Sequence, residues 1–347
     1  MKKVLAWICA ITGLALLVSA SSWPVMSKVL QWNRAHIFNT KWYGKHYSEW
    51  GDLVNMCLLD GVSKYQEPKA YVFVKPTDNG NRNIDLYLFG DSHTEDVPDY
   101  AFANINAYHY GRTIAYTLNP SRKSILLLEV SERSLLSLYH NTEIFDALRK
   151  KDDHPIKAIR GGDGKKNYSL VVNKNLDYLL FDYNFINAIR RAKSEMNYSV
   201  FDRASGDVAI SENGNYLFFK PTIVPYGMFS SYAVVSDNTI NEVVANLNTI
   251  YDHYKKEGFA EVYISIIPNP VTMLQPKGYN NLIPRIRDNP SLKVPYLDIY
   301  NIFKSYSNPS TLYRVGDTHW NNNGMQIWLN VVNAELRKKS EEYSKIN

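Results

Sequence analysis

The sequence predicts an α/β fold in three layers, with helices on both faces of a parallel central sheet and an inserted cap region. Apolar strand-like runs alternate with helix-like segments along most of the chain, the pattern of crossover-connected parallel strands. Ser124 to Val130 is apolar at nearly every position, as a strand covered on both faces must be. Short polar motifs follow the apolar runs, where open α/β sheets assemble their sites.

Lys2 and Lys3 precede an apolar run from Val4 to Ala20. Residues 1–27 therefore read as a secretory signal peptide or an N-terminal signal anchor. Val18-Ser19-Ala20 offers small residues for cleavage, yet the run also approaches the length of a membrane span. The lysines favour a cytoplasmic N-terminus. Residues 28–347 are then expected outside the cytoplasm, periplasmic in a cell with two membranes. If uncleaved, residues 4–20 tether them to the inner membrane, and Trp23 rests at its surface.

The chain is 45% hydrophobic over 347 residues, enough for one large domain with an insertion. Its net charge of +5 is spread without a basic stripe, which argues against a nucleic-acid partner. Cys9 and Cys57 are the only cysteines, so no internal disulfide is expected. Cys57 lies in an apolar stretch, Leu53 to Leu59, and reads as a small buried hydrophobe. No Cys/His cluster has metal spacing, so neither a metal nor a cofactor is expected, and His36 and His46 read as a surface or packing pair. Most of the 26 tyrosines suit half-buried strands; lining a groove for sugar rings is the alternative.

Tyr71 to Val74 reads as a short strand, residues 75–83 as a turn-rich link and Ile84 to Phe89 as a buried strand. Val97 to Ile105 reads as a helix. The insertion covers about residues 139–235. Its basic loop, Arg160 to Lys166, lacks the hydroxyl residue and preceding strand of a phosphate cradle. Within it, Tyr178 to Met196 reads as a helix and Tyr216 to Phe219 as a strand. A helix capped by Asp237 or Asn238 runs to Lys256 and stops at Gly258. Ala260 to Ile267 and Val294 to Ile299 read as strands, and Asn322 to Leu336 as a helix.

Two motifs carry the chemistry: Gly90-Asp91-Ser92-His93 and Asp317-Thr318-His319-Trp320. A serine on a sharp turn after a buried strand exposes its hydroxyl at the sheet's carboxyl edge. His319 with Asp317 two residues before it supplies a base and a carboxylate to orient that base. Gly-Asp-Ser alone is common in turns and Asp-x-His in loops. The strand before one and the helix-like stretch after the other raise their joint weight. The Ser92 N–H is the first candidate oxyanion donor. Asp91 is expected to orient the serine turn, Asn321 the histidine loop, and Trp320 to pack beside the histidine. Arg133 either positions substrate or pairs with Glu129 or Glu132. Asn269 follows a strand and can converge on the same edge.

The two motifs resemble those of the SGNH (GDSL-type) hydrolase superfamily. The extended form Asp317-Thr318-His319-Trp320-Asn321 with Gly324 is similar to the branch holding the periplasmic alginate O-acetyltransferases and related polysaccharide acetylation proteins. Ile125 to Leu135, with its Glu132-Arg133 pair, and Ile264 to Asn269 followed by Thr272 resemble two further segments of that branch. The likeness spans about residues 84–336. It implies an exported serine O-acetyltransferase working through an acetyl-Ser92 intermediate. The implied partners are a polysaccharide acceptor and a membrane acyltransferase that relays the acetyl group. Esterase action on the same fold, or a polysaccharide-binding module without activity, are the alternatives. By position, Gly111 is the implied second oxyanion donor or else a simple turn glycine. The superfamily's Gly-x-Asn-Asp block has no counterpart, Ser131-Glu132-Arg133 standing there, and the serine motif precedes Asp-x-His, unlike in some alginate proteins.

Overall fold

The computed structural model describes residues 2–22, 24–28, 50–67, 71–78, 80–139, 144–151, 176 and 184–345. Trp23, His36, His46 and the loop from Arg160 to Lys166 lie outside these.

Helix α1 (Lys2–Ser21) is long and apolar enough to cross a membrane, with mean hydropathy 2.2 and 6% burial over Lys3–Ser21. A short helix α2 (Asp52–Cys57) precedes the sheet strands β1 (Ile84–Phe89) and β2 (Ile105–Gly111). A small strand β3 (Ile114–Tyr116) leads to β4 (Lys123–Ser131), which runs directly into α3 (Glu132–Tyr139). Helix α4 (Ile144–Ala147) and strand β5 (Leu148–Lys150) follow, then α5 (Asn184–Phe201) and the hairpin β6 (Val208–Ile210) and β7 (Leu217–Phe219). The remainder is α6 (Asp237–Glu257), β8 (Glu261–Ile267), α7 (Pro270–Leu274), α8 (Leu282–Arg287), α9 (Ile299–Ser305) and α10 (Asn322–Ser344).

The central sheet has four parallel strands in the order β2-β1-β4-β8 and is flanked by helices. Every residue of β1 is buried, and so is every residue of β4 after Lys123, as a sheet covered on both faces requires. In-register pairing sets Phe89 beside Leu128, so β1 and β4 deliver the segments after them to one edge. Helix α6 packs along β8 with Ile240, Val243, Val244, Leu247, Ile250 and Tyr254. Its cap is Ser236, whose hydroxyl accepts the Thr239 N–H at 3.1 Å, one residue before the expected caps. Gly258 ends it at φ 107°, a left-handed geometry open to glycine.

Some expected elements are replaced. Tyr71 to Val74 forms no strand: the Tyr71 hydroxyl donates to the Trp320 carbonyl (3.1 Å) and the Val72 N–H to Asn322 Oδ1 (2.8 Å), which uses side-chain partners in place of a ladder. Val97 to Ile105 is not a helix; only Asp99–Ala101 makes a 3₁₀ turn, and Ile105 already begins β2. Pro98 stands next to that turn and offers no N–H to a longer helix. Val294 to Ile299 contributes one parallel bridge, Tyr296 to Ile264, and Asp298 then caps α9 by accepting the Asn301 N–H at 3.0 Å. Among the described residues the insertion helix runs Asn184–Phe201 and ends later than expected; residues 178–183 lie outside the described part. Cys57 is buried, and burial pushes its thiol up to about 12, which leaves it unreactive.

A second, smaller core unites Leu53, Val54, Cys57, Leu59 and Tyr65 with Val208 and Leu217 of the insertion. The segment before the sheet and the insertion therefore bury each other's apolar faces.

Candidate active site at the carboxyl edge of the sheet

β1 ends at Phe89 and the chain turns at Gly90. The turn needs glycine for space: a Cβ there would lie 2.4 Å from Thr94 Oγ1 and 2.8 Å from Glu129 Oε2. Glu129, buried in β4, holds the turn from beneath. Its Oε2 accepts the Asp91 N–H at 2.9 Å and the Thr94 hydroxyl at 2.9 Å. Burial, with the Asp91 charge adding to it, pushes the Glu129 carboxyl well above its usual range. From the far side, the Tyr110 hydroxyl donates to the Asp91 carbonyl at 2.8 Å.

The half-buried Ser92 stands on this turn, and its Oγ lies 2.8 Å from His319 Nε2. His319 Nδ1 meets Asp317 Oδ1 at 2.5 Å, and the same oxygen accepts the His319 N–H at 2.9 Å. Burial works to raise the Asp317 carboxyl. The His319 imidazole and N–H, and the Asp52 N–H, outweigh it and hold the group well below the carboxylate range. The arrangement fixes the histidine tautomer with Nε2 toward the serine, so it can accept the Ser92 proton and have the resulting charge compensated.

The spacing also produces a second copy of this pair. Asp91 Oδ1 accepts the His93 N–H at 2.9 Å and faces His93 Nδ1 at 2.8 Å, while Oδ2 accepts the Ser131 N–H at 3.0 Å. Gly90-Asp91-Ser92-His93 and Gly316-Asp317-Thr318-His319 are thus one local motif used twice. Their imidazoles lie 4.6 Å apart at centroids. Burial lowers the His93 imidazole to about 4 against the pull of Asp91, with His319 and Arg133 adding to the depression. His93 is therefore neutral near pH 7. Sequence reading treated His93 as part of the serine turn; the repeated Gly-Asp-(Ser/Thr)-His was the signal that marks it.

Asp52 was also missed, because it stands 265 residues from its partner. Its N–H donates to Asp317 Oδ2 at 3.2 Å, and its carboxylate accepts the Thr318 N–H at 2.8 Å and the Thr318 hydroxyl at 2.5 Å. Its Oδ2 is also 3.8 Å from His319 Nδ1. Gly51, at φ 133°, lets the chain pass against the Gly316 carbonyl, which a Cβ would approach to 2.5 Å. On the serine-nucleophile reading proposed below, Asp52→Ala should lower the rate constant for Ser92 acylation about tenfold, since it frees two donors that hold the histidine loop. Asp52→Asn, which keeps an acceptor for Thr318, should recover most of it. Stopped-flow burst kinetics with a chromogenic acetyl ester measures both; equal losses in the two variants would mean that the charge, not the grip, matters.

The other expected residues divide. Asp91 accepts the His93 N–H within the serine turn and the Ser131 N–H from the end of β4. Trp320 is buried and packs edge-on to the ring of His93 (5.5 Å) and against Trp328 (5.8 Å), so it backs the second imidazole. Asn321 caps α10, accepting the Asn323 N–H at 2.9 Å, and its amide donates to the Thr311 carbonyl at 2.9 Å. It anchors the end of the histidine loop. Gly111 is the last residue of β2, beside Phe89, and belongs to the sheet ladder and not to a loop. Arg133 makes no ion pair with a described residue. Glu129 is committed to the serine turn, and Glu132 turns away to accept the Asn269 N–H (2.8 Å) and the Thr272 hydroxyl (2.6 Å). Asn269 is buried, its amide on Ser231 Oγ at 3.0 Å, so it braces the edge from within.

Asp52, Asp317 and His319 form one cluster of potential metal donors, and Asp91, His93 and Glu129 another. In both, the imidazole Nδ1 is paired with an aspartate, and the clusters read as hydrogen-bonded acid–imidazole pairs.

Burial raises the Glu132 carboxyl to about 7 against the hydrogen bonds it receives from Thr272 and Asn269. An acid raised in the folded state favours folding below its unfolded value near 4.5, and that contribution is lost as pH rises through about 7. Glu132→Gln should remove about 3 kcal/mol of this pH dependence. Urea denaturation of both proteins at about pH 5 and about pH 8 checks it; a variant with the wild-type slope would exclude Glu132 as the titrating group.

No family model matches the chain, and neither a curated protein nor a solved structure matches it.

Proposed function

We propose that the chain is an SGNH-type serine O-acyltransferase, exported and held at a membrane by α1, that acetylates an envelope or secreted polysaccharide. In this reading the fold is the three-layer form of that superfamily, with about residues 139–235 as its cap. The observation that carries the proposal is the 2.8 Å approach of His319 Nε2 to Ser92 Oγ, with Asp317 on the opposite ring nitrogen.

Ser92 Oγ attacks the acetyl carbonyl and its proton passes to His319 Nε2. The bond to the donor's leaving group breaks, and that group takes the proton from His319. A sugar hydroxyl then attacks acetyl-Ser92, giving its proton to His319; the bond to Oγ breaks and Ser92 is reprotonated. The Ser92 N–H, which has no acceptor among the described residues, is available to the oxyanion. Arg133, which makes no ion pair with a described residue and whose charge is felt at His93, is the candidate to position substrate. The donor partner is a membrane acyltransferase, because an exported protein has no direct access to cytoplasmic acyl donors.

A fluorophosphonate probe should label Ser92, located by peptide mass spectrometry, and deletion of the gene should remove acetyl groups from the cell's polysaccharide. Labelling with unchanged acetylation would point to the esterase form of the same chemistry. Absence of labelling on folded protein would leave a binding module.

A further inference from the structure

A cleft not lined by Ser92 has a volume of about 480 Å³, within the range of about 300–1,000 Å³ that small-ligand sites occupy. It lies between the β6–β7 hairpin, the end of α7 and the loop through Asn308 and Val315. The Tyr216 hydroxyl, donating to the Ser310 carbonyl at 3.1 Å, ties two of these walls together. Leu217 N–H to the Val315 carbonyl at 2.8 Å ties them again, two residues before Asp317.

The lining is unbalanced in a way that specifies chemistry. Asn213 Oδ1 is taken by Ser211 Oγ (2.8 Å) and the Asn215 N–H (3.0 Å), and Asn308 Oδ1 by the Ser310 N–H (3.2 Å). The amide nitrogens of both are left as donors. Lys64 is held over the rings of Tyr65 (5.0 Å) and Tyr198 (5.2 Å) and makes no ion pair with a described residue. No aspartate or glutamate among the described residues lines the cleft. Tyr216 and Met273 provide the apolar patches against which a sugar ring packs. Surplus donors, a cation with no carboxylate partner among the described residues and flat apolar surface together fit a pyranose that carries an anionic group.

We propose that this cleft is a saccharide subsite that takes a sugar unit bearing an anionic substituent, carboxylate or sulfate. The proposal rests on the reading of a polysaccharide acceptor and adds where, and by which charge, that polymer is gripped. The segment that lines the cleft at Val315 continues into Asp317, so a bound strand lies against the backbone that carries the base.

Titration of the full chain with three hexamers tests it: oligogalacturonate, a sulfated glucan hexamer and unsulfated cellohexaose. One anionic hexamer or both should bind at least tenfold more tightly than cellohexaose, and the carboxylate and sulfate arms tell which anion is preferred. Lys64→Glu should weaken that binding at least tenfold; Ser92→Ala should leave it unchanged. The proposal is overturned if neither anionic hexamer binds, if cellohexaose binds equally, or if Lys64→Glu binds as the parent does. Fluorophosphonate labelling of the same samples separates the two readings. Lost labelling with retained binding removes only the enzyme, and retained labelling with no binding removes only the subsite.

Discussion

Ser92→Ala is expected to lower turnover of an acetyl ester by about four to six orders of magnitude. It should change the melting temperature little. The side chain's one hydrogen bond among the described residues is to His319, and the turn beneath it is held by other groups: Glu129, Tyr110 and the Ser131 N–H. Loss of a hydroxyl at a half-buried site costs at most about 1 kcal/mol of stability. Rate and melting curve, taken on the same preparation, therefore separate chemistry from fold. Turnover of Ser92→Ala at the parent rate would remove the nucleophile, and with it the acetyl-serine intermediate.

Asp317→Asn is the second large effect, about 10⁴-fold in turnover. The shape is kept but the donor pattern reverses. An amide nitrogen facing His319 Nδ1 would favour the tautomer with its proton on Nε2, which then points N–H at Ser92 and cannot receive a proton. The aspartate also accepts the Asp52 N–H, so its charge serves the fold as well. Because its carboxyl is depressed in the folded state, that contribution is present above the unfolded value near 3.8 and lost as pH falls toward the folded value. Asp317→Asn should therefore lose stability at neutral pH but less in acid, where the unfolded parent's carboxyl takes up its proton and the advantage of the folded charge shrinks. Calorimetry across that range checks the sign; a variant equally destabilised in acid would mean that packing, not charge, is lost.

Three of the four strands of the sheet were legible because burial on both faces demands unbroken apolar runs, and Ile84–Phe89, Lys123–Ser131 and Glu261–Ile267 supply them, whereas β2, half-buried or exposed after Ile105, carries no such run. Val294 to Ile299 carried the same signal but bonds the sheet at one bridge only, since Asp298 diverts the chain into α9. Ser92, His319 and Asp317 were legible because each motif is local and self-contained. Arg133 was half legible. Its position after β4 was clear, yet pairing with Glu129 or Glu132 could be dismissed only once both glutamates were found spent on neutral donors. Asp52 had no signature: a lone aspartate in an apolar stretch looks like a helix start, and its partner is far along the chain. Period and turn chemistry report near neighbours. The grip on the base loop depends on a contact that neither encodes.

The alcohol and its imidazole are 227 residues apart, and Asp52 reaches across 266 to grip Thr318 beside the latter. During synthesis the oxygen emerges long before anything can deprotonate it. On the proposed reading, a growing chain is unarmed until its last quarter has docked, and a premature stop anywhere before residue 319 yields an inert product.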